Sequence, residues 1–216
     1  MTRPLSSNIE FLVLVMAALF LSWVPFLSIP FTWFMTFFHE ISHGLMALFT
    51  GGSIASIVLH WDGSGLCYTR GGSRFLVLQA GYIGAVVWGV LLYHTAHKVS
   101  ERYIVAVVAV LGMVIAGAAL LYARDVVTWL ILAFLFALSV SIGKLQHLRG
   151  VNIALKFVAV YVMLDAVRAP LYLIDGKHYG DAASLSDLTG LPEMIWIILW
   201  LAVGLAGVFH VWRSNA

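Results

Sequence analysis

Apolar residues run along this chain in blocks separated by short polar segments. A helix needs about 17 to 25 mostly apolar residues to cross a bilayer. Seven blocks meet that length: Ile9–Ile29, Phe31–Thr50, Phe75–Tyr93, Tyr103–Tyr122, Val126–Ile142, Val151–Ile174 and Met194–Trp212. The first two abut at Ser28-Ile29-Pro30. Pro25 and Pro30 each lack a backbone donor there, which predicts a tight hairpin or a broken helix. The first block reads as a retained membrane helix rather than a cleaved signal peptide. Glu10 interrupts its start, Pro25 disturbs its end, and no small-x-small cleavage site follows.

One inter-block segment has a different period. In "GGSIASIVLHWDGSGLCYTRGG", Ile57, Leu59 and Trp61 alternate with Val58, His60 and Asp62. Asp62-Gly63-Ser64-Gly65 is a turn signal, and Leu66–Thr69 can return as a second strand. The predicted fold class is an all-α polytopic membrane protein: a bundle of about six or seven transmembrane helices, with a short β-hairpin after the second. Residues 1–216 read as one membrane-embedded domain, because the longest loops, 51–74 and 175–193, are too short to fold independently.

Composition reinforces this picture. Hydrophobic residues make up 62% and charged residues 10% of the 216, and mean hydropathy is +0.99. Soluble domains average nearer 45–50% apolar and about 25% charged. A net charge of +2 argues against nucleic acid as a partner. Cys67 stands alone, so no internal disulfide forms. Loop charge leaves orientation open. With seven alternating spans, Arg3, Arg70, Arg74, Arg124 and Lys177 fall on one side, and Lys98, Arg102, Lys144, Arg149 and Arg213 on the other. Tryptophans at span ends, such as Trp196, Trp200 and Trp212, read as interface anchors.

Against this apolar background, "FMTFFHEISHGLMAL" places three titratable groups inside the second block. His39 and His43 are four apart, so a helix stacks them on one face with Cβ atoms about 5–6 Å apart. Two such imidazoles can chelate a tetrahedral zinc. Glu40 projects near the same ion, where it can take a proton from zinc-bound water and later return it to a leaving amine. This is the HExxH arrangement. A third protein ligand is needed, leaving a fourth position for water. Asp165, in "YVMLDAVRAPLYL", is one candidate. It lies well inside the sixth block, at a depth matching that of the histidines, and requires a cationic partner. Arg168 at i+3 is the alternative partner, as a helix-face ion pair. Asp181, in "GDAASLSDLTGLP", is the rival candidate, with a helix N-cap as its structural reading. Asp187 and Asp175 read as loop or cap residues. Gly81 and Gly84, with Ala80 and Ala85, form a small-residue packing face on the third block. His60, His94, His97, His147, His178 and His210 lie near loops or span ends and are left out of the site.

The chain resembles the site-2 protease class of intramembrane zinc metalloproteases. The likeness rests on HExxH in a membrane helix, the Gly-Gly and strand-like segment after it, and "AGYIG" in the next block. "LDAVRAP" and "GDAASLSDLTGLP" resemble a smaller, PDZ-less branch, in which a membrane Asp is followed by a Ser-Asp-Ala-type motif. The resemblance runs from about Phe34 to Trp200. It implies His39 and His43 as zinc ligands and Glu40 as general base. Asp165 stands where the helix-borne Asp is expected, followed here by Ala166 rather than Gly. Asp181-Ala182 match the later motif, with Gly180 in place of Ser. Both aspartates stay open as the third ligand. Family members place the active site toward the cytosol, which implies a cytosolic N-terminus.

The function expected is a zinc metalloendopeptidase, with one Zn2+ per chain, cutting a membrane-protein or membrane-proximal peptide in or beside the lipid bilayer. Its expected location is the cell membrane, as a multi-pass integral protein. The hairpin serves either as a strand edge that pairs with extended substrate or as a plain connector. The competing class is a non-proteolytic metal-binding membrane protein, a transporter or regulatory scaffold, which does not need Glu40 as a base. A retinal protein is excluded because Met194–Trp212 has no lysine. A haem protein is disfavoured because histidines at i and i+4 of one helix cannot face both sides of one macrocycle.

Overall fold

The computed structural model describes residues 7–144, 150–174 and 176–215; Arg3, His147, Arg149 and Asp175 lie outside them. The helices are α1 (Ser7–Ser22), α2 (Pro25–Phe49), α3 (Arg74–Lys98), α4 (Glu101–Tyr122), α5 (Val126–Lys144), α6 (Val151–Arg168), α7 (Gly180–Thr189) and α8 (Glu193–Ser214). Strands β1 (Ser53–Leu59) and β2 (Gly65–Arg70) form an antiparallel hairpin between α2 and α3. Helices dominate because lipid offers the backbone no hydrogen-bond partners. Phe20, Phe26 and Met113 face outward, while Phe34, Phe37 and Phe38 are fully buried. The chain is an integral membrane protein of the all-α class.

The span count differs from the seven blocks. Four described helices, α3, α4, α5 and α8, are long and apolar enough to cross by themselves; α1 and α2 qualify only jointly, as a pair bent by 114°. The break falls at Trp23-Val24, earlier than Ser28–Pro30. Pro25 takes the first turn of α2, where its missing N–H is no loss, and Pro30 is absorbed inside that helix. The sixth block also ends early. Lys156, Asp165 and Arg168 interrupt its apolar run, and at Ala169-Pro170 α6 passes into a short 3-10 helix, Ala169–Leu173.

Helix α3 is central and packs on α2, α6 and α8. The hairpin lies against α2, and the two edges of its sheet differ. The outer edge of β1 is taken: Ile57 bridges Ala123, and the Leu59 N–H donates to Thr128 Oγ1 at 2.9 Å. The outer edge of β2 has no strand on it among the described residues. Trp33 Nε1 donates to the His60 carbonyl, and Thr36 Oγ1 to the Gly63 carbonyl, so α2 grips the turn.

Thr128 is fully buried, so Thr128→Val strands the Leu59 N–H. An orphaned buried donor costs about 1–3 kcal/mol. Hydrogen exchange at Leu59 is expected to quicken by about tenfold or more, with α3 and α6 unchanged. Unaltered protection at Leu59 would show that the hairpin is not anchored through this bond.

Candidate metal centre

Helix α2 sets His39 and His43 one turn apart, with their rings edge to face at 4.6 Å. His43 Nδ1 lies 2.6 Å from the Val77 carbonyl on α3. A carbonyl only accepts, so Nδ1 carries the proton and Nε2 presents a lone pair. That Nε2 is 2.9 Å from His39 Nε2. Asp181 supplies a third donor from α7: its Oδ2 is 3.2 Å from each Nε2. Asp181 sits in the first turn of α7 rather than at the N-cap, which is Tyr179.

Local sequence explains how these groups meet. Gly180 has φ +82°, a conformation that L side chains rarely adopt, and it turns the chain into α7 just before Asp181. That requirement accounts for glycine where the related motif carries serine. Ala182 and Leu185 then bury the helix against Trp196 and Trp200 of α8. At the exposed end His178 bonds Asp187, at 3.0 Å, and Glu193, tying the loop, α7 and the start of α8 together. Across the site, Gly81 of α3 lets the helices close. A Cβ there would fall onto the Nε2 atoms of both histidines. Tyr82 packs its ring 4.5 Å from His39, and Gln79 accepts from Trp200 Nε1 at 2.9 Å, which sets the depth of α8.

The donor set fits a divalent cation. Two imidazole nitrogens and a carboxylate oxygen crowd within 3.2 Å of one another. Tetrahedral ligands about 2.0–2.1 Å from zinc stand about 3.3 Å from one another. Among the described residues, His39, His43 and Asp181 are the one group of three His, Cys, Asp or Glu donors close enough to share an ion. Asp165 does not join them. It lies on α6 in a separate cavity, with Arg168 as its charged neighbour. Asp187 is held by His178.

Glu40 is 4% exposed and lines the same cavity of about 610 Å³ as the three donors. Gly65 on β2 lies against its carboxylate: a Cβ there would stand 3.0 Å from Glu40 Cγ and Oε1. Consecutive residues Gly65, Leu66 and Cys67 all line this cavity. Alternating side chains cannot account for that, so it is the backbone edge of β2 that faces the site. Sequence reasoning missed Val77 and Tyr82 because one acts through a carbonyl and the other through a ring face. Gly81 read only as packing, although its position on α3 beside a small-residue face was visible.

A family model described as peptidase M50B-like matches residues 12–211. No curated protein and no solved structure matches the chain.

Two outcomes follow from this geometry. Asp181→Ala and Gly81→Ala proteins are expected to purify with far less than one zinc per chain, and Asp165→Ala with its full complement, as read by elemental analysis; zinc lost only from Asp165→Ala would move the centre. The second outcome concerns the clasp. Hydrogen bonds donated to Glu193 and Asp187 push the His178 imidazole above its ordinary 6.5. A raised pKa in the folded state means that the clasp is fully made below about 6.5 and is lost as pH rises through the raised value. Exchange protection of α7 should fall over that rise, and His178→Gln should flatten the dependence.

Proposed function

The chain belongs to the peptidase M50B-like family, and from that premise we propose that it is a zinc metalloendopeptidase that cuts peptide bonds within or next to the membrane. The observation that carries this reading is the convergence of His39, His43 and Asp181 beside a buried Glu40. His39, His43 and Asp181 would hold one zinc per chain. When bound, the ion supplies Lewis acidity, which acidifies water and polarises a carbonyl.

The chain's own residues do the rest. Val77 keeps His43 in the tautomer that leaves Nε2 free. Glu40 takes a proton from the attacking water and returns it to the leaving amine. Burial keeps bulk water from competing for its carboxylate, and the β2 backbone at Gly65 lies against it. The open edge of β2 supports pairing with a substrate in extended form, its backbone hydrogen-bonded beside Glu40. A helical substrate must unwind locally before it fits. The substrate class is therefore a membrane protein or membrane-proximal peptide, and the lipid bilayer, proposed to be the cell membrane, is the medium in which the chain works. No part of this reading involves nucleic acid.

Glu40→Gln separates a peptidase from a metal-binding transporter or scaffold. The variant is expected to keep its zinc and lose at least about a hundredfold in cleavage rate, measured on peptides with the zinc-loaded protein in detergent. Cleavage that survives the substitution refutes Glu40 as the base, and metal transport that survives it favours the alternative class.

A further inference from the structure

Two cavities adjoin on α2, one lined by Glu40 and the other by Thr36 one turn earlier. The first holds the three metal donors. The second, about 430 Å³, opens inside the bend between α1 and α2, walled by Thr32, Tyr161, Asp165, Arg168 and the hairpin turn Asp62–Ser64. They lie end to end. On α2, Thr36 lines the second cavity and Glu40, one helical turn on, lines the first; on the hairpin, Ser64 lines the second and Gly65 the first. The partition is thin. At Gly65 a Cβ would stand 2.6 Å from Thr36 Cγ2 and 3.0 Å from Glu40 Oε1, so the chain crosses there without a side chain.

This placement has a consequence for a bound strand. A peptide paired with the open edge of β2 runs along one side of Glu40. Prolonged past Gly65, it passes Ser64 and Gly63 and enters the second cavity. An enzyme that cuts an extended chain must position it on both sides of the scissile bond. The second cavity is where the far side goes.

Its charge selects the occupant. Asp165 is 8% exposed, and no hydrogen-bond donor among the described residues reaches its carboxylate. The neighbouring hydroxyls are engaged elsewhere: Thr32 and Tyr161 with each other at 3.3 Å, and Thr36 with the Gly63 carbonyl. Arg168 is the one cation lining the cavity among the described residues, against the carboxylates of Asp165 and Asp62. A buried carboxylate with a free lone-pair face is stabilised by a donor that carries positive charge. We propose, resting on the peptidase reading above, that this cavity is a substrate subsite flanking the scissile bond, that it takes a lysine or arginine side chain of the substrate, and that Asp165 is its specificity-determining residue.

The test profiles cleavage. Zinc-loaded wild type, Asp165→Asn and Asp165→Glu proteins digest a peptide library made from a whole proteome by cutting after glutamate, and the new termini are read by mass spectrometry. Wild type is expected to enrich Lys and Arg at one fixed distance from the cut. In Asp165→Asn the ratio of basic to neutral residues there should fall by about tenfold, the loss of one charge-assisted hydrogen bond; Asp165→Glu should restore most of it. Equal enrichment in Asp165→Asn, or cuts by wild type with no basic preference, overturns the subsite and leaves the peptidase standing. No cuts by the zinc-loaded wild type overturns both. Should Asp165→Asn fail to fold, Asp62→Asn at the exposed rim carries the test: a smaller loss of the same enrichment supports the subsite, and an unchanged profile refutes it.

Discussion

Two imidazole nitrogens 2.9 Å apart and a carboxylate oxygen 3.2 Å from both form the contact on which the rest of this molecule depends. In an apolar bundle such donors cannot lean on solvent, and each must be satisfied by a neighbour. The surrounding features answer that demand. Val77 takes the one available N–H of His43. Gly81 gives up a side chain so that α3 can close over both rings. Helix α7, too short and too polar to cross a membrane, is anchored by its apolar side so that Asp181 reaches inward.

The hairpin extends the same logic from the ion to the polypeptide. Its β1 edge is consumed by α4 and α5, through Ala123 and Thr128, and its β2 edge is turned toward Glu40. An open strand edge is a standing invitation to pair with another chain. Here the invitation opens into a polar cavity rather than onto a flat surface, which confines pairing to chains that can enter. On the function proposed here, the backbone that would meet the substrate and the backbone beside Glu40 belong to one strand.

Much of this was legible in the sequence where a rule of spacing governs it. His39, Glu40 and His43 stand out because charged and polar groups are costly in an apolar run, and the hairpin because its period changes from 3.6 to 2. The span count was less legible. Hydropathy measures how apolar a block is, not whether the chain bends within it, so α1 and α2 read as two crossings, and the end of α6 at Arg168 was hidden within a longer run. Asp165 and Asp181 illustrate a harder limit. Matching depth speaks for Asp165, since spans two and six read as parallel crossings, while Asp181 needs a segment dipping inward from outside the span. That segment is the short helix α7, folded back into the bundle, and Gly180, the residue that permits the fold-back, looked like a departure from the motif rather than its cause.

The deviations from straight helices fall where the chemistry is. The bend of 114° between α1 and α2, the passage from α6 into a 3-10 helix and the fold-back of α7 all border the two polar cavities. Irregular backbone at membrane depth is tolerated only where it is buried in protein or lines a cavity. Hydrolysis beside lipid needs three things that a regular bundle denies: room for water, a strand edge and fixed charges. Each of these breaks opens room that close-packed helices would fill, and together they place Asp165 and Glu40 in adjoining chambers on one path. A continuous α6 would carry its helix through the wall of the second cavity, and a straight α1–α2 would close the bend that contains it. The metal centre could persist under either change, yet the proposed path along β2 would end at Gly65, so on this reading it is the helix breaks that extend the donor site into a groove able to take a chain.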